Sequence, residues 1–176
     1  MEERGMVHKG SVLFEETQTM CVVWMKILIA VIAAFLWFAT IQQVLFKKPF
    51  GLNPAPDSML VILWVLIGII MPLFFYTLRL HTTVFNDSIE LRFGPLKICK
   101  REIKVDEIVS FQNRVYKPIK EYGGWGIRIG FRKRVVSMSG NRGVELVLKN
   151  GRKFMIGTQR PDELYDAIQT SKGKTV

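Results

Sequence analysis

The chain has 176 residues, with 25 Lys and Arg against 15 Asp and Glu and a formal net charge of +10. That length sets a prior of one domain with appendages. Its two cysteines, Cys21 and Cys99, are far apart and in no metal-type spacing, which argues against a disulfide framework or a cysteine zinc site. The charge is uneven: from Arg79 onward 20 Lys and Arg face 10 Asp and Glu, so this part carries the whole excess.

Residues 1–21 read as a polar N-terminal segment. Two apolar runs follow, Ile27–Val44 and Met59–Leu78, neither containing a charged residue. A bilayer core is about 30 Å thick and takes roughly 20 apolar residues of helix to cross. The two runs therefore predict transmembrane helices over about 22–46 and 59–80, within a hairpin spanning 22–80. The first run starts too late and is too long for the apolar core of a signal peptide. Between the runs, Pro49, Gly51, Pro54 and Pro56 give loop chemistry, and so short a connector forces the helices antiparallel. Both termini then share one side of the membrane. Arg4, Lys9, Lys26 and Arg79, with Arg92, Lys97, Lys100 and Arg101 beyond, favour the inside against Lys47 and Lys48. The expected location is the cell inner membrane, multi-pass, with termini and C-terminal domain cytoplasmic. Because ionisable groups inside lipid usually mark a pathway, their absence points to an anchor. The alternative is an oligomeric channel or transporter subunit, with Thr40, Gln42 and Gln43 facing inward.

From residue 81 the period changes. Ile89, Leu91 and Phe93 alternate with charged residues, as do Ile103 and Val105, and Val144, Leu146 and Leu148 alternate with Glu145, Val147 and Lys149. Alternation predicts half-buried strands. Asn150–Gly151 predicts a type I′ turn joining strands Gly143–Lys149 and Lys153–Gly157. Pro161, Asp162 and Glu163 suit the start of a helix whose apolar face holds Leu164, Tyr165 and Ile168. Residues 81–170 are thus predicted as a mainly β domain, an antiparallel sheet pair or small barrel with a C-terminal helix plugging one end, and 171–176 as a tail.

Three stretches, Glu121–Arg128 (EYGGWGIR), Ser139–Leu146 (SGNRGVEL) and Ile156–Leu164 (IGTQRPDEL), resemble those of bacterial membrane proteins that carry two transmembrane helices followed by a pleckstrin-homology-like domain. The resemblance runs from about Val22 to Ile168. It implies a curved antiparallel sheet pair of about seven strands closed by a C-terminal helix, and it implies no reaction.

The densest basic cluster is Arg128, Arg132, Lys133 and Arg134. If residues 126–138 form one strand, Arg128, Arg132 and Arg134 share a face and can hold an anion bidentately. A solvated strand edge, where cations discourage pairing with other chains, is the competing reading. Arg142, in a Gly-rich turn, is a further anion- or lipid-binding candidate. The Gly-Gly-Trp-Gly stretch fits a bulge or tight bend better than a ligand loop. No nucleophile motif surrounds His8 or His81, and there is no phosphate loop or metal-ligand spacing. The expectation is a binding or scaffolding module rather than an enzyme, without cofactor. Membrane lipids are the expected partners, an acidic protein is a further one, and no nucleic acid is expected. The oligomeric state is not readable from the residues.

Overall fold

The alternating segments do form strands, and the apolar runs form helices. The computed structural model describes residues 11–20, 23–94, 99–129 and 133–174. Contacts divide it into two units: residues 22–78, and residues 1–21 together with 79–176.

In the first unit, helix α1 (Val23–Thr40) continues as a π-helical turn over Ile41–Leu45. The return limb is α2 (Asp57–Leu63), a π-helical stretch Trp64–Ile70, and α3 (Met71–Thr77). The continuous limbs are 23 and 21 residues long, long and apolar enough to cross a membrane. Pro72 explains much of the π-helical stretch. A proline has no N–H for the carbonyl four residues back, and its ring crowds that carbonyl, which here belongs to Gly68. The indole N–H of Trp37 donates to the Gly68 oxygen at 3.2 Å. The Trp37 and Trp64 rings meet edge to face at 5.0 Å, and a Cβ at Gly68 would lie 3.1 Å from Trp64 Cδ1. Gln43 organises the connector: its Nε2 donates to the Ala55 carbonyl at 2.6 Å and to Asp57 Oδ1 at 2.8 Å.

The second unit begins before the hairpin. Strand β1 (Phe14–Thr19) lies in the segment that reads as merely polar, and it pairs antiparallel with β2 (Arg79–Val84), which follows the hairpin. Strands β3 (Ser88–Phe93) and β4 (Cys99–Lys104) complete a four-stranded sheet in the order β1-β2-β3-β4. After β5 (Ile108–Val115) and the short helix α4 (Pro118–Tyr122) come β6 (Gly126–Ile129), β7 (Lys133–Ser137), β8 (Arg142–Leu148) and β9 (Lys153–Gly157). They form a second sheet in the order β5-β8-β9-β7-β6.

This arrangement corrects the fold expected from the sequence and its resemblance. The second sheet is not antiparallel throughout, because β7 runs parallel to β9. Neither sheet closes on itself: β1 and β4 are the edges of one, and β5 and β6 of the other. A pleckstrin-homology-like barrel or closed sandwich is therefore not the fold. The C-terminal helix α5 (Pro161–Lys174) packs on β1 and β2 of one sheet and β5 and β8 of the other, instead of plugging a barrel end. Its last turns are part of the structure. Ser171, assigned to a tail by sequence, is buried and donates to the Phe85 and Asn86 carbonyls at 2.9 and 2.7 Å.

The β8–β9 turn also differs from expectation. Gly151 has φ +72°, but Asn150 is not in the left-handed region. A type I′ turn needs positive φ at both central residues. The loop is instead wider, closed by Gly151 N–H donating to the Leu148 carbonyl at 2.8 Å and Leu148 N–H to the Arg152 carbonyl at 3.0 Å.

Register defines the core. Leu80, Val84, Ile89, Leu91 and Ile103 line one face of the first sheet, and Val136, Val144, Leu146, Phe154 and Ile156 one face of the second, all buried. Polar bonds join the sheets at one edge. Glu16 accepts from Thr158 Oγ1 at 2.5 Å and from Gln159 N–H at 3.0 Å, and Gln18 Nε2 donates to the Gly157 carbonyl at 2.8 Å.

Candidate functional site

The sequence-derived arginines do not form one face. The strand assumed over 126–138 is a hairpin, β6 ending at Ile129 and β7 starting at Lys133. Arg128 pairs with Val135, and Arg134 with Ile129. Because side chains alternate along a strand, Arg128 and Arg134 start from opposite faces. Arg132 lies outside the described residues, as do Cys21 and His8. Arg142 is at the start of β8, opposite Val115, in a separate depression with Asn113 and Asp162.

Arg128 and Arg134 nonetheless meet at a cleft of about 240 Å³ where β4 of one sheet approaches β6 and β7 of the other. Its apolar lining comes from Leu91, Phe93, Ile127, Val136 and Phe154, with Val135 also at its wall. Lys100, Arg101, Arg128 and Arg134 surround it, and the exposed thiol of Cys99 lines it. Arg101 is the residue that sequence reasoning missed. It is in phase with Ile103, and the register sets it beside Leu91 on the core-facing side of the sheet. An arginine at an apolar position of an alternating strand was the available signal.

Charge pairing distinguishes the cleft arginines from Arg92, Arg114 and Arg160, though not from Arg79, Arg142 and Arg152, which also have no carboxylate partner among the described residues. Buried Glu145 receives Arg114 Nη1 at 2.7 Å, and Arg114 also reaches Glu121 at 2.8 Å. Arg92 pairs with buried Glu90, and that hydrogen bond raises the guanidinium pKa above its usual value. Lys100 lies 3.7 Å from Glu90 and 3.9 Å from Glu102. Arg160 is bound to Glu163, a hydrogen bond that holds the Glu163 carboxyl below the ordinary range, and its guanidinium sits 5.3 Å over the Phe14 ring. Among the described residues, Arg101, Arg128 and Arg134 have no carboxylate partner.

The cleft also has a defined position along its sheet. Thr19, where the chain leaves for the hairpin, is the cross-strand partner of Arg79, where it returns. One row further in, Gln18, Leu80, Phe93 and Cys99 are aligned across the four strands. Phe93 and Cys99 line the cleft, which is thus at the end of the first sheet that holds the Thr19–Arg79 pair.

His81 shares a 2.9 Å hydrogen bond with Thr17 Oγ1 and has Arg92 as its other cross-strand neighbour. Among the described residues no group of three or more His, Cys, Asp and Glu side chains is placed to hold a metal ion.

Comparison with curated proteins finds no match. The family of unknown function DUF6141 matches residues 6–174, hairpin and sheets alike, and the chain belongs to that family.

Proposed function

We propose that the chain is a membrane-anchored, non-enzymatic binding module whose basic domain engages anionic lipid. The hairpin crosses the inner membrane twice, and both termini and the domain are cytoplasmic. The observation that carries the reading is the contrast among arginines. Arg114, Arg92 and Arg160 are matched with carboxylates, whereas Arg101, Arg128 and Arg134 gather at one cleft without such a partner among the described residues. Unmatched cations attract counter-anions, and next to a bilayer the abundant ones are lipid phosphates. Each basic residue near an anionic leaflet contributes about 1 kcal/mol, screened by salt. The chain's excess of positive charge beyond Arg79 supports the same reading.

The test is hydrogen exchange of the full chain reconstituted in nanodiscs of uncharged phosphatidylcholine, with and without phosphatidylglycerol. Amides of β4, β6 and β7 should exchange more slowly in the anionic discs, and high salt should remove the difference. Exchange that ignores both lipid charge and salt would overturn the reading.

A further inference from the structure

The cleft between β4 and the β6–β7 pair is more than a charged surface, because its lining joins an apolar set, taken as the floor, to the cations Lys100, Arg101, Arg128 and Arg134, taken as the rim. A free anion would satisfy the rim and leave the floor empty. An uncharged hydrocarbon would fill the floor and leave the rim unmatched. One chemistry answers both: an acyl chain carrying a phosphate or carboxylate at its head. We propose that this cleft binds one chain of an anionic lipid, with the chain against Leu91, Phe93, Val136 and Phe154 and the headgroup on Arg101 and Arg134. The inference rests on the reading of the domain as a partner of anionic lipid and names the site where a single molecule is held.

Size, register and position all bear on it. At about 240 Å³ the cleft is smaller than pockets that enclose a drug-sized ligand, which run from about 300 to 1,000 Å³. It accommodates a length of one chain, not both chains of a diacyl lipid. Arg101 shares its face with Leu91, and Arg134 shares its face with Phe154 and Val136. The two guanidiniums therefore rise from the same sheet faces that form the floor, one from each sheet. Arginine suits the role, since its planar fork binds phosphate or carboxylate bidentately. The cleft also lies at the end of the sheet where the chain departs at Thr19 and returns at Arg79.

Cys99 reports occupancy, because its exposed thiol lines the cleft. The full chain carrying Cys21→Ser, in phosphatidylcholine nanodiscs, is alkylated with iodoacetamide in the presence of dodecyl phosphate, dodecanol or inorganic phosphate. Dodecyl phosphate at about tenfold its dissociation constant should slow alkylation about tenfold, and the other two should leave the rate nearly unchanged. Arg101→Ala and Arg134→Ala should each restore the rate, whereas Arg142→Ala should keep the protection. The comparison of the three additives uses the unsubstituted arginines, so it holds whatever the substitutions do to folding. An unchanged rate with dodecyl phosphate, or equal slowing by dodecanol or by inorganic phosphate, overturns the site. Anionic discs that protect β4, β6 and β7 while dodecyl phosphate leaves Cys99 open would overturn the cleft and leave the surface reading standing.

Discussion

The carboxylate of Glu16 accepts a 2.5 Å hydrogen bond from the hydroxyl of Thr158, joining a strand that precedes the hairpin to the end of the last strand of the second sheet. The same carboxylate takes the Gln159 N–H and the Gln18 side-chain amide, so three donors converge on one buried group. Replacing it strands them, and each buried donor without an acceptor costs about 1–3 kcal/mol unless water reaches it. Glu16→Ala should therefore destabilise the domain by on the order of 3 kcal/mol. Thermal unfolding of the full chain in detergent reads this directly, and a midpoint unchanged by the substitution would show that the network contributes nothing.

Thr19 and Arg79 are direct cross-strand partners. A two-residue turn therefore suffices to connect them. Replacing residues 20–78 with Asn-Gly, which favours the tight type I′ hairpin, should yield a folded domain that needs no detergent. A fragment starting at residue 82 lacks β1 and the first half of β2, and it should fail to fold. Dispersed amide resonances for the first protein and collapsed ones for the second are the expected spectra. The reverse pattern would mean that β1 is dispensable.

Gly157, the last residue of β9, lies against Ser137, the last residue of β7. A Cβ there would lie 2.4 Å from the Ser137 Cβ and 2.8 Å from the Tyr116 hydroxyl. Overpacking of a tight core costs about 1–3 kcal/mol, and more where backbone must move. Gly157→Ala should lower the unfolding midpoint, and adding Ser137→Gly should recover part of the loss by removing the nearest atom. Gly151→Ala meets no neighbouring atom and should cost only the strain of its positive φ, about 1 kcal/mol.

Within the hairpin, Trp37→Phe keeps the ring contact with Trp64 but removes the donor to the Gly68 carbonyl. Interhelical hydrogen bonds in membranes average about 0.6 kcal/mol, with values up to about 1.7. The upper part of that range is expected, since Pro72 leaves the Gly68 carbonyl without its usual helical donor. Unfolding of the reconstituted chain by titrated denaturing detergent measures the difference.

How much was legible varied with the range of the interaction. The two long apolar helices follow from run length alone. Helix α5 follows from Pro161, Asp162, Glu163 and the spacing of Leu164 and Ile168, β8 follows from the alternation of Val144, Leu146 and Leu148, and β9 follows from the Asn150–Gly151 turn signal before it. Strand β1 was hidden because its inward residues, Phe14, Glu16 and Gln18, do not alternate in hydrophobicity, and its partner lies beyond the hairpin. The parallel β7–β9 pairing was not read, although Val135–Val136 and Phe154–Met155–Ile156 are short continuous apolar runs, as strands buried on both faces are. The basic cluster was visible, but its break into β6 and β7 was not, so Arg128 and Arg134 were placed on one face. Arg101 could have been read from its phase with Ile103. Its meeting with Arg134 depends on how two sheets approach each other, which no window of sequence encodes.

The split sheet orders the making of the protein in time. Strand β1 is synthesised before both apolar helices and its partner β2 after them. At about 5–20 residues per second, β1 waits roughly 3–12 s for β2 to emerge. During that interval it is an unpaired edge holding the buried-to-be Glu16. The hairpin must return Arg79 to Thr19 before β1 can join the first sheet, and the Glu16 bond to Thr158 forms only near the end of the chain. A hairpin whose second limb goes astray would leave β1 and β2 apart and the domain unassembled. Completion of the sheet unit is thus conditional on the course of the apolar helical one.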